Sequence, residues 1–234
     1  MVIGILDCDK VDPALAVDYG QYGDMFEAGF NRVSPGTQCR IYDAQADSLP
    51  SVDECDGWVI SGSRHSAYEP LDWIERLGEW TRVAFAAQVP VAGICFGHQL
   101  LAQALGGEVR KAEQGWGMGP YDTEVVLQAP WMQGAEPTLR LLSSHQDQVM
   151  VLPPDAELLA TSAFCPNYSF AIGDRVFTVQ GHPEFLIGYN RALAEKRREQ
   201  IGEAVYQQAI AGFDHPVDSD RFLSWILNFI RQSR

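Results

Sequence analysis

Short apolar runs alternate with longer amphipathic stretches through the first half of this 234-residue chain, and this alternation constrains the fold more than any other feature. The predicted strands cover residues 2–6, 38–42, 57–61 and 89–94. The predicted helices cover residues 24–32, 71–87 and 97–105. Strands that alternate with helices form βα units, which build a parallel sheet. The sequence therefore predicts an α/β fold.

After Gly107 the sequence changes to shorter runs separated by turn signals. The predicted strands of this region cover residues 123–127, 139–142, 157–161 and 170–180. The last of these runs is folded back on itself at Gly173-Asp174. We expect this region to form an antiparallel segment beside the parallel sheet.

The end of the chain, residues 189–234, has a helical pattern with a break at 212–216 and a final amphipathic helix at 221–230. One apolar stripe on that helix consists of Phe222, Trp225, Ile226 and Phe229. We expect the stripe to pack against the chain's own sheet, with docking of a partner subunit as the alternative. Because no repeat or linker interrupts the sequence, residues 1–234 are predicted to form a single domain with a helical tail from about 189.

The net charge excludes several classes of partner. Asp and Glu number 31 against 17 Lys and Arg, which gives a formal charge of -14 and a pI near 4.6. This charge repels phosphate backbones and anionic membrane surfaces, so neither nucleic acid nor a membrane is expected as a partner. The longest apolar stretch, 83–96, is interrupted by Gln88 and Pro90 and is too short to span a bilayer. The N-terminus lacks a basic leader and a cleavage site, so we expect no signal peptide.

The cysteines are odd in number and widely scattered, unlike those of a zinc site or a disulfide scaffold. The five are Cys8, Cys39, Cys55, Cys95 and Cys165. Reduced thiols and a cytoplasmic location are therefore expected, and no metal site is predicted. Reactivity is predicted at Cys95 alone, and the other four are predicted to be core residues.

Cys95 lies in the motif Gly93-Ile-Cys95-Phe96-Gly97, where a predicted buried strand runs directly into a predicted helix. Gly-x-Cys-x-Gly at such a turn has the layout of a nucleophile elbow, in which related hydrolases carry serine. The two glycines permit close packing around the turn, and the helix N-terminus favours thiolate over thiol. The Phe96 amide is placed to stabilise an oxyanion. The alternative is a core cysteine beside a tight turn.

A cysteine nucleophile needs a base and usually a third group that orients the base. The sequence Gly181-His182-Pro183-Glu184 follows the last strong strand and places a histidine two positions before a carboxylate. Glu184 could hold one ring nitrogen of His182 while the other nitrogen faces the Cys95 sulfur. Taken alone, such a tripeptide is more typical of a surface turn. In combination with the elbow, it predicts the base and its orienting group.

The other four histidines are weaker candidates. His98 follows the elbow on a helix and is predicted to be a packing or surface residue. His65 and His215 lie in polar loops and are predicted to be solvated. His145 stands at a strand-to-loop junction, where it could line the cleft or serve as a satisfied structural histidine.

Two motifs in this order resemble those of the class I glutamine amidotransferase family: Gly93-Ile-Cys95-Phe-Gly97-His98-Gln99 and Gly181-His182-Pro183-Glu184. The resemblance extends from the first strand to about Phe185. The motifs most similar to free-standing members, which include GMP-synthase-like amidotransferases and γ-glutamyl peptidases, are Ser61-Gly62-Ser63, the region 19–23 and Gly115-Trp116-Gly117. The family implies a flavodoxin-like, doubly wound fold with a mostly parallel sheet and helices on both faces.

The resemblance also implies roles for individual residues. It implies a triad of Cys95, His182 and Glu184. The backbone amides of Gly62 and Phe96 would form the oxyanion hole. The implied glutamyl-binding residues are Gln99, Ser144, Gln146 and Asp147, the last two acting through their backbone. No cofactor is implied. Many synthetase-linked members carry Ser-Gly-Gly-Pro where this chain has Ser61-Gly62-Ser63-Arg64.

The implied reaction begins with attack by Cys95 on the γ-carbonyl of glutamine and ends with release of glutamate and ammonia. The expected substrate is thus a small molecule, and a separate synthetase subunit is a possible acceptor of the ammonia. One alternative is a γ-glutamyl peptidase, which acts on γ-glutamyl peptides or amines and passes no ammonia on. Others are an inactive binding or regulatory subunit and a cysteine hydrolase for unrelated esters or amides. We expect the loops 64–69 and 116–121 to set specificity.

Overall fold

Strands and helices alternate in chain order through the first half of the computed structural model, which describes residues 1–233. The strands are β1 Val2–Asp7, β2 Gln38–Asp43, β3 Gly57–Ile60, β4 Val91–Ile94, β5 Glu108–Lys111, β6 Gly117–Val125, β7 Thr138–His145, β8 Asp147–Val151, β9 Glu157–Thr161, β10 Ser169–Ile172 and β11 Val176–Val179. The helices are α1 Pro13–Tyr19, α2 Tyr22–Val33, α3 Asp72–Ala86, α4 Phe96–Ala104, α5 Ile187–Lys196, α6 Arg198–Ile201, α7 Glu203–Gly212 and α8 Ser219–Gln232. Among the described residues, no helix combines the length and the hydropathy that crossing a membrane requires.

Nine strands form one sheet in the order β2-β1-β3-β4-β11-β10-β9-β6-β7. The pairs from β2 to β11 are parallel, and this order is that of a flavodoxin-like doubly wound sheet. The pairs from β11 to β7 are antiparallel. A separate antiparallel pair consists of β5 and β8. The predicted α/β fold, with a mostly parallel half and an antiparallel extension, is confirmed.

Helices cover both faces of the parallel half. On one face, α2 and α8 pack against β1 through residues such as Phe26, Phe30 and Phe222. On the other face, α3 and α4 pack around Trp58 and Ile60 of β3. Because β3 and β4 are buried on both faces, each is a continuous apolar run in the sequence, as central parallel strands usually are.

The apolar stripe of the last helix faces this sheet. Phe222, Trp225, Ile226 and Phe229 of α8 are each at most 1% exposed and belong to the core shared with β1 and α2. The prediction that the stripe packs against the chain's own sheet is confirmed. The stripe is consequently not a surface to which a partner subunit could dock.

β6 begins at Gly117 rather than at residue 123, so the segment 116–121 is mostly strand and the prediction of a loop there was wrong. The error has a local cause, because glycine and proline at 117–120 are turn signals in sequence. Gly119 has a φ of +87°, and a Cβ at this position would lie 2.7 Å from the Cα of Ala209 in α7. Glycine is therefore required where α7 packs closely against the strand.

Three short elements were not predicted. α1 has only seven residues and begins at Pro13, where the side chain of Asp12 accepts a hydrogen bond from the Ala14 amide. β5 and β8 have four and five residues and pair with each other outside the main sheet. Elements of this length contain too few residues for hydrophobic periodicity to reveal them.

Asp7, at the end of β1, is a buried carboxylate that destabilises the fold when it ionises. It is 2% exposed, and its Oδ1 has no hydrogen-bond partner among residues 1–233. Burial raises the pKa of Asp7 to about 6, while Lys10 and the Gly23 amide oppose this rise. Because the folded pKa lies above the unfolded one, stability is greatest with Asp7 protonated and is lost as the pH rises through about 6.

We therefore expect Asp7→Asn to increase the free energy of unfolding at pH 8 by up to about 3 kcal/mol and to change it little at pH 4. Urea unfolding of both proteins at the two pH values measures the difference. Asp18→Asn is a matched control, because Asp18 is exposed on α1. An equal effect of Asp7→Asn at both pH values would contradict this interpretation.

Candidate active site

β4 runs into α4 through Cys95, whose backbone has a φ of 53° and a ψ of -100°. This conformation is strained for a residue that carries a Cβ, and it is typical of a nucleophile elbow. The Cys95 amide donates a hydrogen bond of 2.9 Å to the Val179 carbonyl. A Cβ on Gly93 would lie 2.6 Å from the carbonyl oxygen of Gly97, and one on Gly97 would lie 2.3 Å from that of Ile60. Close backbone packing thus requires both glycines of the motif.

His182 and Glu184 form a buried pair just after β11. Nδ1 of His182 and Oε1 of Glu184 are 2.8 Å apart, and the two residues are 3% and 2% exposed. The His182 amide donates to the Leu142 carbonyl at 2.7 Å, and its ring stacks on Phe185 with 3.9 Å between ring centroids. These contacts orient the ring and leave Nε2 as the available nitrogen, with no partner other than Cys95 within the described part of the chain.

The imidazole and the thiol border the same small space, at the carboxyl ends of three adjacent strands. A Cβ on Gly62, which follows β3, would lie 2.8 Å from Cε1 of His182 and 3.7 Å from Cβ of Cys95. The folded chain thus brings together the residues that the sequence predicted as nucleophile, base and orienting carboxylate. These residues are far apart in sequence, and they meet because β3, β4 and β11 are neighbouring parallel strands.

The neighbours of His182 determine its charge. Burial by itself lowers the pKa of the imidazole, but the Cys95 thiolate and the Glu184 carboxylate outweigh burial and raise the pKa of His182 to about 10. The ring consequently carries its proton at neutral pH. An imidazolium beside a thiolate can stabilise that thiolate and protonate a departing amine.

Two backbone amides next to the thiol are available as donors. Gly62 lies just beyond β3, and Phe96 is the first residue of α4. Neither amide donates a hydrogen bond to another of residues 1–233. Free backbone amides favour a negatively charged oxygen, and the helix N-terminus adds to this effect at Phe96. The positions of both amides are therefore compatible with the predicted oxyanion hole.

The four residues predicted to hold a glutamyl group line a cavity that opens over Cys95. Nε2 of Gln99 donates to the Asp147 carbonyl at 2.8 Å and to Oε1 of Gln180 at 3.1 Å. The Gln99 amide thus fixes the backbone at Asp147 and is already bonded within the protein. Oγ of Ser144 accepts a hydrogen bond of 2.8 Å from Nη1 of Arg197. Gln146 is fixed through its carbonyl, which accepts from the Ala112 amide at 3.0 Å.

The structure shows the surroundings of two further histidines, His98 and His145. His98 is a packing residue, as predicted, and its Nδ1 lies 2.8 Å from Oγ1 of Thr178. His145 lines the cavity, with Nδ1 3.1 Å from the Asp147 carbonyl. Burial lowers the pKa of His98 to about 3 and that of His145 to about 4, so both rings are neutral at pH 7.

His65 is only partly solvated, whereas the prediction for His215 is confirmed. His65 is half-buried, with Nδ1 2.9 Å from Oε2 of Glu69 and its ring edge-on to Trp73. A carboxylate four residues ahead and an aromatic neighbour on α3 cover part of this ring. His215 is exposed.

The cysteines other than Cys95 are free thiols. Cys8, Cys55 and Cys165 are buried and Cys39 is half-buried, which fits their prediction as core residues. Burial raises the pKa of each of these four thiols. A protonated thiol is a poor nucleophile, which fits the prediction that these four cysteines are unreactive.

The cavity over Cys95 has a volume of about 620 Å³. The predicted loop 64–69 contributes Arg64, His65, Ser66 and Tyr68 to its walls. Wall residues that were not predicted include Asp9, Tyr22, Lys111, Tyr189 and Arg197. They come from separate segments and share no local motif, so no sequence signal could have identified them as a group. Trp116 also lines the cavity, although most of the segment after it is strand.

Comparisons of the sequence with known proteins identify its family. The family model of class I glutamine amidotransferases matches residues 15–196. γ-Glutamyl peptidase 3 of Arabidopsis thaliana is 35% identical over 174 residues, which are 71% of this chain and 70% of the peptidase. A glutamine-hydrolysing GMP synthase of Aeropyrum pernix is 30% identical over 229 residues, which are 85% of this chain and 42% of the synthase.

Solved structures support the same fold. A glutamine amidotransferase of Thermotoga maritima has a TM-score of 0.75 at 20% identity, with 99% of this chain and 96% of that chain covered. A glutamine amidotransferase of Methylobacillus flagellatus has a TM-score of 0.74 at 21% identity, with 100% and 94% covered. At these identities, the two solved structures show only that the fold is shared. The family model matches most of the sequence itself. The chain therefore belongs to the class I glutamine amidotransferase family.

Proposed function

We propose that this protein hydrolyses γ-glutamyl amide bonds through a thioester at Cys95, with His182 as acid and base and Glu184 as the residue that orients His182. The observation that carries the proposal is the buried His182–Glu184 pair beside a strained cysteine at a strand-to-helix turn. A thiol, an oriented imidazole and free backbone amides are the parts that acyl transfer to a cysteine needs.

In the first step, the Cys95 thiolate attacks the γ-carbonyl carbon, and a C–S bond forms as the carbonyl oxygen becomes negative. The Gly62 and Phe96 amides stabilise this oxyanion. His182 then donates its proton to the nitrogen, the C–N bond breaks, and the amine leaves a γ-glutamyl thioester behind.

In the second step, neutral His182 removes a proton from water, which attacks the thioester carbonyl. The C–S bond breaks, glutamate is released, and the thiolate and imidazolium are restored. Glu184 keeps Nδ1 of His182 engaged throughout, so Nε2 remains the nitrogen that exchanges the proton. The glutamyl group would be held by Gln99, Ser144 and the backbone of Gln146 and Asp147.

We favour a γ-glutamyl peptide as the substrate, with an amino acid or peptide as the leaving group. The cavity of about 620 Å³ lies within the range of sites that bind drug-sized ligands, and it exceeds what one amino acid fills. The relative named γ-glutamyl peptidase 3 supports the same substrate class. A second candidate is hydrolysis of glutamine with transfer of ammonia to a separate synthetase, because other relatives are named GMP synthase.

A substrate panel tests the proposal and separates these candidates. Glutamate and the released amine or ammonia are quantified for glutamine, γ-glutamylglycine and γ-glutamylethylamide. We expect kcat/KM for γ-glutamylglycine to exceed that for glutamine by tenfold or more. A preference for glutamine of that size would favour the second candidate. Absence of release from every substrate would instead favour an inactive subunit or a hydrolase for unrelated amides.

A further inference from the structure

The cavity over Cys95 concentrates cationic side chains that lack an acidic partner, in a protein whose net charge is -14. Most Lys and Arg side chains form ion pairs at the surface. Within residues 1–233, the cations without an ion pair are Arg76, Lys111, Arg197 and Arg231. Lys111 and Arg197 both line the cavity. Their charge is therefore available to a ligand in it.

Arg197 is held in a defined position. Its Nη1 donates to Oγ of Ser144 at 2.8 Å, and its Cζ lies 5.6 Å from the centre of the Trp116 ring. The other guanidinium N–H groups donate to no acceptor in the part of the chain that the structure describes. A half-buried guanidinium that is fixed on one side, with free donors on the other, is pre-organised to bind a planar anion.

Arg197 lies near the reacting centre. Its anchor, Ser144, is two residues beyond Leu142 on β7, and Leu142 pairs with His182. At about 3.3 Å per residue, the anchor is about 7 Å along the strand from the partner of His182. Lys111 pairs in register with Asp147 on the neighbouring strand. Both cationic side chains therefore line the cavity in which the γ-carbonyl of a substrate would meet Cys95.

The carboxylates on the same walls do not cancel this charge. Asp9 is paired with Arg64 at 2.7 Å, and Asp12 is paired with Lys196. The Asp147 carboxylate accepts a hydrogen bond of 3.3 Å from Oη of Tyr68 and has no cation partner within residues 1–233. Asp9 and Asp12 are thus each neutralised by a cation. Among the described residues, two cationic side chains without an ion pair, Arg197 and Lys111, remain in the cavity beside one carboxylate without an ion pair, that of Asp147.

We propose that Arg197, assisted by Lys111, binds a carboxylate group of the substrate. This inference rests on the proposed function, since a γ-glutamyl peptide carries the α-carboxylate of its glutamyl group and a second carboxylate on the leaving amino acid. The guanidinium would bind one of these through two parallel N–H donors. Neither a neutral leaving amine nor ammonia offers such a group on the leaving side.

Matched substrates identify the carboxylate. γ-Glutamylglycine carries both carboxylates, γ-glutamylglycinamide lacks the one on the leaving group, and the α-amide of γ-glutamylglycinamide lacks both. kcat/KM is measured for wild type, Arg197→Gln and Arg197→Lys. The control variant is Arg198→Gln, which changes the same charge at the next residue, where the side chain pairs with Glu203 outside the cavity.

We expect Arg197→Gln to lower kcat/KM for γ-glutamylglycine about 10- to 100-fold more than for the substrate without carboxylates. Arg197→Lys should retain part of this preference, and Arg198→Gln all of it. A loss that disappears with γ-glutamylglycinamide assigns the leaving-group carboxylate. A loss that disappears only with the α-amide assigns the α-carboxylate. An equal loss on all three substrates, or no loss, would overturn the inference.

A binding measurement separates failure of this inference from failure of the proposed function. Calorimetric titration of γ-glutamylglycine into Cys95→Ala and into Cys95→Ala/Arg197→Gln needs no turnover. We expect the second protein to bind the peptide at least tenfold more weakly. Equal affinities would refute a role for Arg197 even in an active enzyme, whereas inactive wild type would refute the proposed reaction itself.

Discussion

Replacing Cys95 with alanine is expected to reduce glutamate release by a factor of about 10⁴ or more. The proposed reaction has no route to a thioester without the Cys95 sulfur, and removal of the nucleophile from a triad leaves only the effect of binding and the oxyanion hole. Cys95→Ser should be nearly as inactive, because a hydroxyl is far less acidic than a thiol and is therefore a much weaker nucleophile at this position. Steady-state glutamate release from γ-glutamylglycine measures both variants.

Cys165→Ala is the matched control for Cys95→Ala. Cys165 belongs to the same apolar core as Cys95 and is 1% exposed, but it is not at the elbow. This substitution should lower stability through the small cavity it leaves, while the activity per folded molecule is retained. If Cys95→Ala kept activity within tenfold of wild type, Cys95 would not be the nucleophile.

Glu184→Gln is expected to lower kcat by a factor of about 10² to 10⁴ and to change the pH profile. Glutamine preserves the shape of the side chain but can present an amide to Nδ1 of His182, which permits the wrong tautomer. The Glu184 carboxylate also helps to raise the pKa of His182 to about 10, so its removal lowers that pKa. The form with thiolate and imidazolium then disappears at a lower pH than in wild type.

The pH dependence of kcat/KM measures this shift. Wild type should stay active above pH 8 and lose activity as the pH rises through about 10, where His182 loses its proton. The alkaline fall of Glu184→Gln should begin at a lower pH. Glu203→Gln is the control, since Glu203 pairs with Arg198 on the surface, and its profile should match that of wild type. Coincident alkaline limbs for Glu184→Gln and wild type would contradict the assigned role.

Local motifs explain why much of the candidate site could be predicted from the sequence. The strain at Cys95, the close approach of Gly93 to Gly97, and the short spacing of His182 and Glu184 all involve residues that are close together in sequence. The parallel half of the sheet was predictable for a similar reason. Buried strands such as β3 and β4 are continuous apolar runs between amphipathic helices.

The remaining features depend on tertiary contacts that no local pattern encodes. Gly119 and Pro120 are turn signals in sequence, yet they lie within β6 because α7 packs against the strand there. Arg197 and Lys111 are ordinary charged residues until the turn between α5 and α6 and the strand β5 bring them to one cavity. His65 is partly covered because α3 places Trp73 beside its ring. The walls of the cavity were consequently less predictable than the residues at its base.

Detection of the acyl group on Cys95 tests the proposed mechanism most directly. Wild type is mixed with γ-glutamylglycine, quenched in acid during turnover and digested, and the peptides are analysed by mass spectrometry; a parallel reaction contains hydroxylamine to intercept the thioester. We expect a γ-glutamyl group on the peptide that contains Cys95, and γ-glutamyl hydroxamate in the parallel reaction. Release of glutamate with neither product, or with the acyl group on another residue, would contradict the thioester mechanism.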